Sequence, residues 1–309
     1  MTQQQSPALI CMGEPMIEFN QQPDGRFLQG FGGDTSNAAI AAARQGAATG
    51  FFTHLGDDPF GHALSQLWQQ EQIDTRLVLH KENQQTGIYF VTHDQQGHHF
   101  SYYRAMSPAA QMRPEDVPCD QLKSAKILHV SGISQAISPT ASQAVITAIK
   151  AVKSAGGMVS YDTNLRLRLW SLELARQTIH DTISLCDIAL PGYDDACQLT
   201  RYTQPDDIAD FYLGLGVKLV ALTLGSKGTF IAQTDKRKLV PSYRVRAVDA
   251  TAAGDTFDGA FLAELLAGRD PFAAAAYANA TAALSTTAYG AVGPIPKRQA
   301  VEAFLSSQH

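Results

Sequence analysis

The segment Asp249 to Gly259, DATAAGDTFDG, places small residues and a carboxylate where a helix begins. Small side chains let a ligand approach the backbone, and the N–H groups of Ala252, Ala253 and Gly254 are the unpaired donors that open a helix. Together with the positive end of the helix dipole they make an anion site, and Asp255 lies inside it. A carboxylate there repels the charge that the turn attracts. That is poor for stability, but it suits a proton acceptor for a hydroxyl attacking phosphorus. Helix capping by Asp255 is the competing reading, and local chemistry leaves both open.

Three further segments carry polar groups to comparable positions. TLGSKG, Thr223 to Gly228, follows an apolar strand, and its two glycines permit a tight turn that either holds nucleotide phosphates or simply joins two strands. GGDTSNAA, Gly32 to Ala39, opens an alanine-rich helix. Its Asp34, Ser36 and Asn37 either cap that helix or read ligand hydroxyls. DTNLRLRLW, Asp162 to Trp170, begins at a strand end, and its Arg166 and Arg168, with Arg104 from a hairpin, form either surface ion pairs or a grip on a carboxylate or phosphate.

Other chemistries lose their usual support. The chain lacks the GxxxxGK spacing of a Walker loop and the GxGxxG of a dinucleotide fold. Adjacent His98 and His99 point to opposite faces of a strand, and the other seven histidines have no paired spacing, so metal ligation is not expected. Cys11, Cys119, Cys186 and Cys197 are scattered and read as reduced, packed thiols. Charge sums to 24 − 29 = −5 without a block of like charges, which disfavours nucleic-acid or lipid-headgroup binding. No apolar stretch reaches the roughly 18 to 20 residues of a bilayer span. The first basic residue is Arg26, so a charged secretory leader is not expected and a cytoplasmic location is.

These segments need a scaffold, and the pattern supplies one. Buried-strand runs near Leu9, Phe51, Leu128, Val159, Ile188 and Val220 alternate with helical stretches at Ala38–Arg44, Pro59–Gln72, Ser138–Ser154, Leu172–Leu185 and Asp206–Leu215. That rhythm predicts an α/β protein with a mostly parallel sheet covered on both faces. The Asp255 helix turns Phe257, Ala260, Phe261 and Leu265 inward and stops at Gly268, and a second helix follows Asp270-Pro271. Met16–Gly32 and Thr86–Arg104 each read as strand, turn, strand. They form either a lid that excludes water during group transfer or a β insertion without that role.

The pairing of GGDTSN with DATAAGDTF resembles the two signatures of the ribokinase-like, phosphofructokinase B type carbohydrate kinases, whose second signature reads D-T-x-G-A-G-D. The resemblance extends along essentially the whole chain, through TLGSKG, the hairpins and the terminal GAVGPIP. It implies one three-layer α/β/α domain over residues 1–309 with a small β-sheet lid from about 13–32 and 86–105. GEPMIEF, GGDTSN, YYR, HVSGIS, DTNLRLRLW and AAGD are similar to the family's 2-keto-3-deoxygluconate kinases, which use ATP and Mg²⁺ to phosphorylate the terminal hydroxyl of a sugar acid. A fructokinase, ribokinase or nucleoside kinase is the alternative, and a catalytically silent sugar-acid sensor is another.

The resemblance assigns roles. Asp255 is the base, with the Ala252, Ala253 and Gly254 amides on the transferring phosphoryl group. ATP falls to Asn164, Thr223, Gly225, Ser226 and Gly228, with Asn279 near adenine. Substrate falls to Gly33, Asp34 and Asn37, with Tyr89, Tyr103 and Arg104 closing from the lid and Arg166 beneath. Asp249 and Thr251 match positions that hold a monovalent cation such as K⁺ in some relatives. Two departures stand out. The family's N-x-x-E falls on Gly192 to Asp195, where Asp195 replaces Glu and action through water remains open; Ala252 replaces a glycine, tolerable if its φ is negative. A homodimer or larger assembly through the exposed lid face is also expected.

Overall fold

The computed structural model describes residues 6–94 and 97–308. Residues 1–5, the Gln95-Gln96 pair of the expected DQQG turn and the side chain of His98 lie outside the described residues. In chain order the strands are β1 Leu9–Met12, β2 Met16–Gln21, β3 Phe27–Gly32, β4 Thr49–Gly56, β5 Asp74–Lys81, β6 Ile88–Asp94, β7 Gly97–Tyr103, β8 Ile127–Ser131, β9 Met158–Asp162, β10 Ile188–Leu190, β11 Leu219–Thr223, β12 Thr229–Ala232 and β13 Arg237–Val240. The helices are α1 Asp34–Arg44, α2 Pro59–Gln70, α3 Cys119–Leu122, α4 Gly132–Ala136, α5 Pro139–Ser154, α6 Leu172–Ile183, α7 Tyr193–Thr200, α8 Pro205–Gly214, α9 Ala253–Leu266, α10 Pro271–Ser285 and α11 Arg298–Ser306.

Nine strands form one sheet in the order β13-β12-β11-β10-β9-β8-β1-β4-β5. All its pairings are parallel except β11–β12 and β12–β13. Side-chain alternation explains the three layers. Ile10, Phe52, Leu128 and Val220 face α5, α6 and α8 through Val145, Ile149, Ile179 and Ile208. Their neighbours Leu9, Phe51, Ile127 and Ala221 face α1 and α9 through Ile40, Phe257 and Phe261. α1 and α9 approach so closely that a Cβ at Gly259 would stand 2.1 Å from Ala38 O. All four cysteines are free thiols among the described residues, with Cys11 and Cys186 buried. Among those residues, no helix is long and apolar enough to cross a membrane.

The two hairpins pair into a second sheet, β3-β2-β6-β7, with β2 and β6 parallel at its centre. One face docks on the larger body where Phe19 meets Phe60 of α2 edge-on at 5.7 Å. Thr86, just before β6, is held by the turn after β4. Its N–H donates to Asp58 Oδ2 at 2.7 Å, its hydroxyl donates to Asp58 Oδ1 at 2.9 Å, and Gly56 N donates to its Oγ1 at 3.0 Å. Asp58 also caps α2 by accepting from Gly61 N at 2.7 Å. Where the pattern announced α1 only from Ala38, the helix starts four residues earlier, and β5, β13, α4, α7 and α11 were not anticipated.

Candidate active site

The carboxyl ends of β1 and β9 and the starts of α1 and α9 converge on one cleft. Gly33 opens α1 at φ 115°, where a Cβ would meet Glu14 O at 2.7 Å, so only glycine turns the chain here. No side chain caps α1, which removes the capping reading of Asp34, Ser36 and Asn37. Asn37 instead donates from Nδ2 to Asp255 Oδ2 at 2.8 Å, and Ser36 accepts from Trp68 Nε1 at 2.9 Å. Nor does Asp255 cap α9, whose N-cap is Ala252 without a side-chain bond. Burial pushes the Asp255 carboxyl up to about 7, with neighbouring Asp34 adding to the rise while Asn37 and Arg166 oppose it. A carboxylate near 7 is matched to proton acceptance at neutral pH. Buried Asn37 Oδ1 and Asp34 Oδ1 make no hydrogen bond among the described residues, leaving two acceptors for ligand hydroxyls.

The other expected site residues are held by bonds within the protein. Asn164, assigned to ATP, is buried and donates from Nδ2 to Asp34 Oδ2 at 2.9 Å, so it orients the Asp34 carboxylate. Ala252 sits at φ 59°, not at the negative φ under which the added methyl would be unstrained. Of the three amides, Ala253 N already donates to Ala250 O at 3.2 Å, while Ala252 and Gly254 have no backbone partner among the described residues. Asn279 spends its whole amide inside the protein. It donates to Val240 O at 3.0 Å and Pro241 O at 3.2 Å and accepts from Thr229 Oγ1 at 2.7 Å, which staples α10 to β12 and β13. Asp249 accepts from the N–H and hydroxyl of Thr251 at 2.9 and 2.6 Å and from Gly290 N at 2.9 Å, bonds that fasten the turn before α9 to the terminal loop.

Thr223, Leu224 and Gly225 line a cavity of about 360 Å³ with Gly192, Tyr193, Asp194 and Asp195. TLGSKG is thus both a turn between antiparallel β11 and β12 and one wall of a cleft; Ser226 and Gly228 belong to the same turn. Asp195 accepts from Leu165 N at 2.9 Å, a bond that ties α7 to the loop carrying Asn164 and Arg166. Burial raises its carboxyl, and the Leu165 N–H and Arg166 work against that rise.

The two adjacent tyrosines of β7 lie on opposite faces of the smaller sheet. Tyr89 pairs in register with Tyr102, their rings 5.6 Å apart; burial raises the Tyr89 phenol, Glu18, which accepts from its hydroxyl at 2.6 Å, raises it further, and Asp255 adds to the rise. Tyr103 pairs with Ile88 and packs on Phe90, on the opposite face, where it is 65% exposed. Strand alternation therefore puts Tyr102, not Tyr103, on the Tyr89 face. Arg104 shares the Tyr102 face but is largely buried and ion-paired with Glu14, which also accepts from Ser107. Its charge is already met by the protein. Arg166 differs. It is exposed, donates to Leu165 O at 2.8 Å, and ion-pairs with no carboxylate among the described residues. Arg168 donates to Phe100 O of the smaller sheet at 3.4 Å.

A family model described as pfkB family carbohydrate kinase matches residues 7–298. The chain belongs to the pfkB family of carbohydrate kinases. It is 33% identical over 322 residues to "Probable fructokinase-5" of Arabidopsis thaliana, covering 98% of each chain. It is also 33% identical over 301 residues to the 2-dehydro-3-deoxygluconokinase of Dickeya dadantii, covering 93% of this chain and 97% of the other. A crystal structure of a fructokinase double mutant from Vibrio cholerae O395, with fructose, ADP and potassium ion bound, superposes with a TM-score of 0.87. That pair is 27% identical, and the match covers 97% of this chain and 99% of the other. The pfkB fold thus accounts for both the nine-stranded sheet and the smaller one, and the activity class is that of a sugar kinase.

Proposed function

We propose that this kinase transfers the γ-phosphoryl group of ATP to the terminal hydroxyl of 2-keto-3-deoxygluconate, giving 2-keto-3-deoxy-6-phosphogluconate. The observation that carries the reading is Arg166, an exposed cation near Asp255 and Asp195 whose guanidinium makes no contact ion pair with a carboxylate among the described residues. A sugar acid supplies the missing carboxylate, whereas a neutral sugar leaves the guanidinium unused. Asp34 Oδ1 and Asn37 Oδ1 accept hydrogen bonds from the sugar hydroxyls. Tyr89 and Tyr102 close over them from the smaller sheet, which serves as the lid that excludes water.

In that complex Asp255 takes the proton of the attacking hydroxyl, its Oδ2 held by Asn37. The Ala252 and Gly254 amides, joined by that of Ala253 once it leaves Ala250, face the transferred group. The donor nucleotide lies along the cavity of Thr223, Gly225 and Asp195. Two carboxylates there, Asp194 and Asp195, with glycine at position 192, fit a magnesium ion held chiefly through water and phosphate oxygens. Mg²⁺ supplies charge neutralisation along the phosphates when bound. Asp249 and Thr251 are the residues for a K⁺ ion.

The decisive measurement is ADP release across 2-keto-3-deoxy acids, hexoses, pentoses and nucleosides. Arg166→Ala should raise KM for the acid roughly 10- to 100-fold, the value of one charge-assisted contact, and leave neutral sugars unchanged. Preferred turnover of fructose or a nucleoside by the parent protein would assign the site to a neutral-sugar kinase instead.

A further inference from the structure

The turn after β4 carries Asp57, His62 lies one turn into α2, and His80 is near the end of β5. The His62 and His80 rings lie face to face, centroids 4.9 Å apart and planes 22° apart. His62 Nε2 is 3.0 Å from Asp57 Oδ1. One donor atom from each of the three residues falls within 4.8 Å of the others, a grouping found nowhere else among the described residues. An ion pair between Asp57 and His62 accounts for two members but not for the second imidazole stacked on the first.

His80 is already oriented as a ligand. Its Nδ1 lies 3.2 Å from Gly56 O, which only accepts, so Nδ1 carries the proton and the Nε2 lone pair is left as an acceptor. Metal-bound histidines make this same bond from the non-ligating nitrogen to a backbone carbonyl. Nε2 now faces the Ser65 hydroxyl at 3.0 Å, a neutral contact that an ion can replace. Donors about 2.0–2.2 Å from a tetrahedral ion stand about 3.3–3.6 Å apart, within a few tenths of an ångström of the present 3.0 Å Asp57–His62 spacing. Asp57 and His62 side chains are 45% and 61% exposed, so rotation can bring them onto a common centre.

We propose that Asp57, His62 and His80 bind one divalent transition-metal ion of the Zn²⁺ or Ni²⁺ type, with solvent completing its coordination. Two imidazoles and one carboxylate select such an ion over Mg²⁺ or Ca²⁺, which take all-oxygen ligands. None of the three residues belongs to the cleft around Asp255. Asp57 adjoins Asp58, whose carboxylate receives Thr86 and Gly61, so a bound ion braces the turn from which the smaller sheet extends.

Titration calorimetry of the full chain with ZnCl₂, in a large excess of Mg²⁺, tests this. One equivalent should bind, at least about tenfold more weakly in His62→Ala and in His80→Ala, with melting curves reporting that each variant is folded. Asp57→Asn, at an exposed position, takes their place if either histidine variant does not fold. Co²⁺ in place of Zn²⁺ should show d–d absorption without a thiolate charge-transfer band. No uptake by the parent chain, undiminished uptake by the His62→Ala/His80→Ala double variant, or a thiolate band that places the ion on cysteine would each overturn the site.

Discussion

Asp255 concentrates the testable chemistry of individual residues. With its carboxyl at about 7, kcat/KM should rise about tenfold per pH unit below 7 and level off above it, read from a pH–rate profile. Asp255→Asn should lower kcat by about 10²- to 10⁴-fold while the circular-dichroism spectrum stays unchanged. The same residue makes a stability prediction of defined sign. Its folded value lies above the ordinary 3.8, so the native state holds that proton more tightly than the unfolded chain. Stability therefore falls as pH rises from about 4 to about 7, and removing the charge relieves the loss. Asp255→Asn should melt higher than the parent at pH 8, by at least about 2 °C, and close to it at pH 4. The tyrosines separate as cleanly. Tyr102→Ala should raise KM for the sugar several-fold and Tyr103→Ala should not, because the two rings lie on opposite faces of β7.

At the level of elements, the start of α9 holds a conformation that its residue disfavours. Ala252 at φ 59° costs about 1–2 kcal/mol, and Ala252→Gly recovers that less the roughly 0.4–1 kcal/mol of added freedom in the unfolded chain. Urea unfolding should show a net gain of about 0.5–1 kcal/mol. The alternating strands and helices were legible in the sequence because each buried strand is a short apolar run bounded by turn residues, and the hairpins because QPDG and DQQG interrupt alternating aromatics. Other elements were not: α7 begins directly after Pro191-Gly192 inside a segment read as a ligand motif, and β5 is half-buried at a sheet edge. Within the site, Gly33, Asp34, Asn37 and Asp255 were legible because they lie in two short signatures. That Tyr102 shares the Tyr89 face was not legible, since adjacent tyrosines differ only in which face the pleat gives them, nor was the Glu14 pair, because only the fold brings Glu14 to Arg104. The bond from Leu165 to Asp195 and the trio Asp57, His62 and His80 arise from elements far apart in sequence, which no spacing rule detects.

At the scale of the whole molecule, the cleft-side face of the smaller sheet leaves Leu28 63% and Phe100 43% exposed, an apolar surface that a second copy can cover. We expect self-association through that face, and sedimentation velocity should show Leu28→Glu shifting the protein toward the monomer. The same molecule has a temporal consequence in its assembly. Asn37 and Asp255, joined by one hydrogen bond, are 218 residues apart. At the usual 5–20 residues per second of translation, roughly ten to forty seconds separate their synthesis. A nascent chain on the ribosome therefore carries α1 long before Asp255 exists, and the cleft between them cannot form until the last third of the polypeptide has emerged and docked against the first.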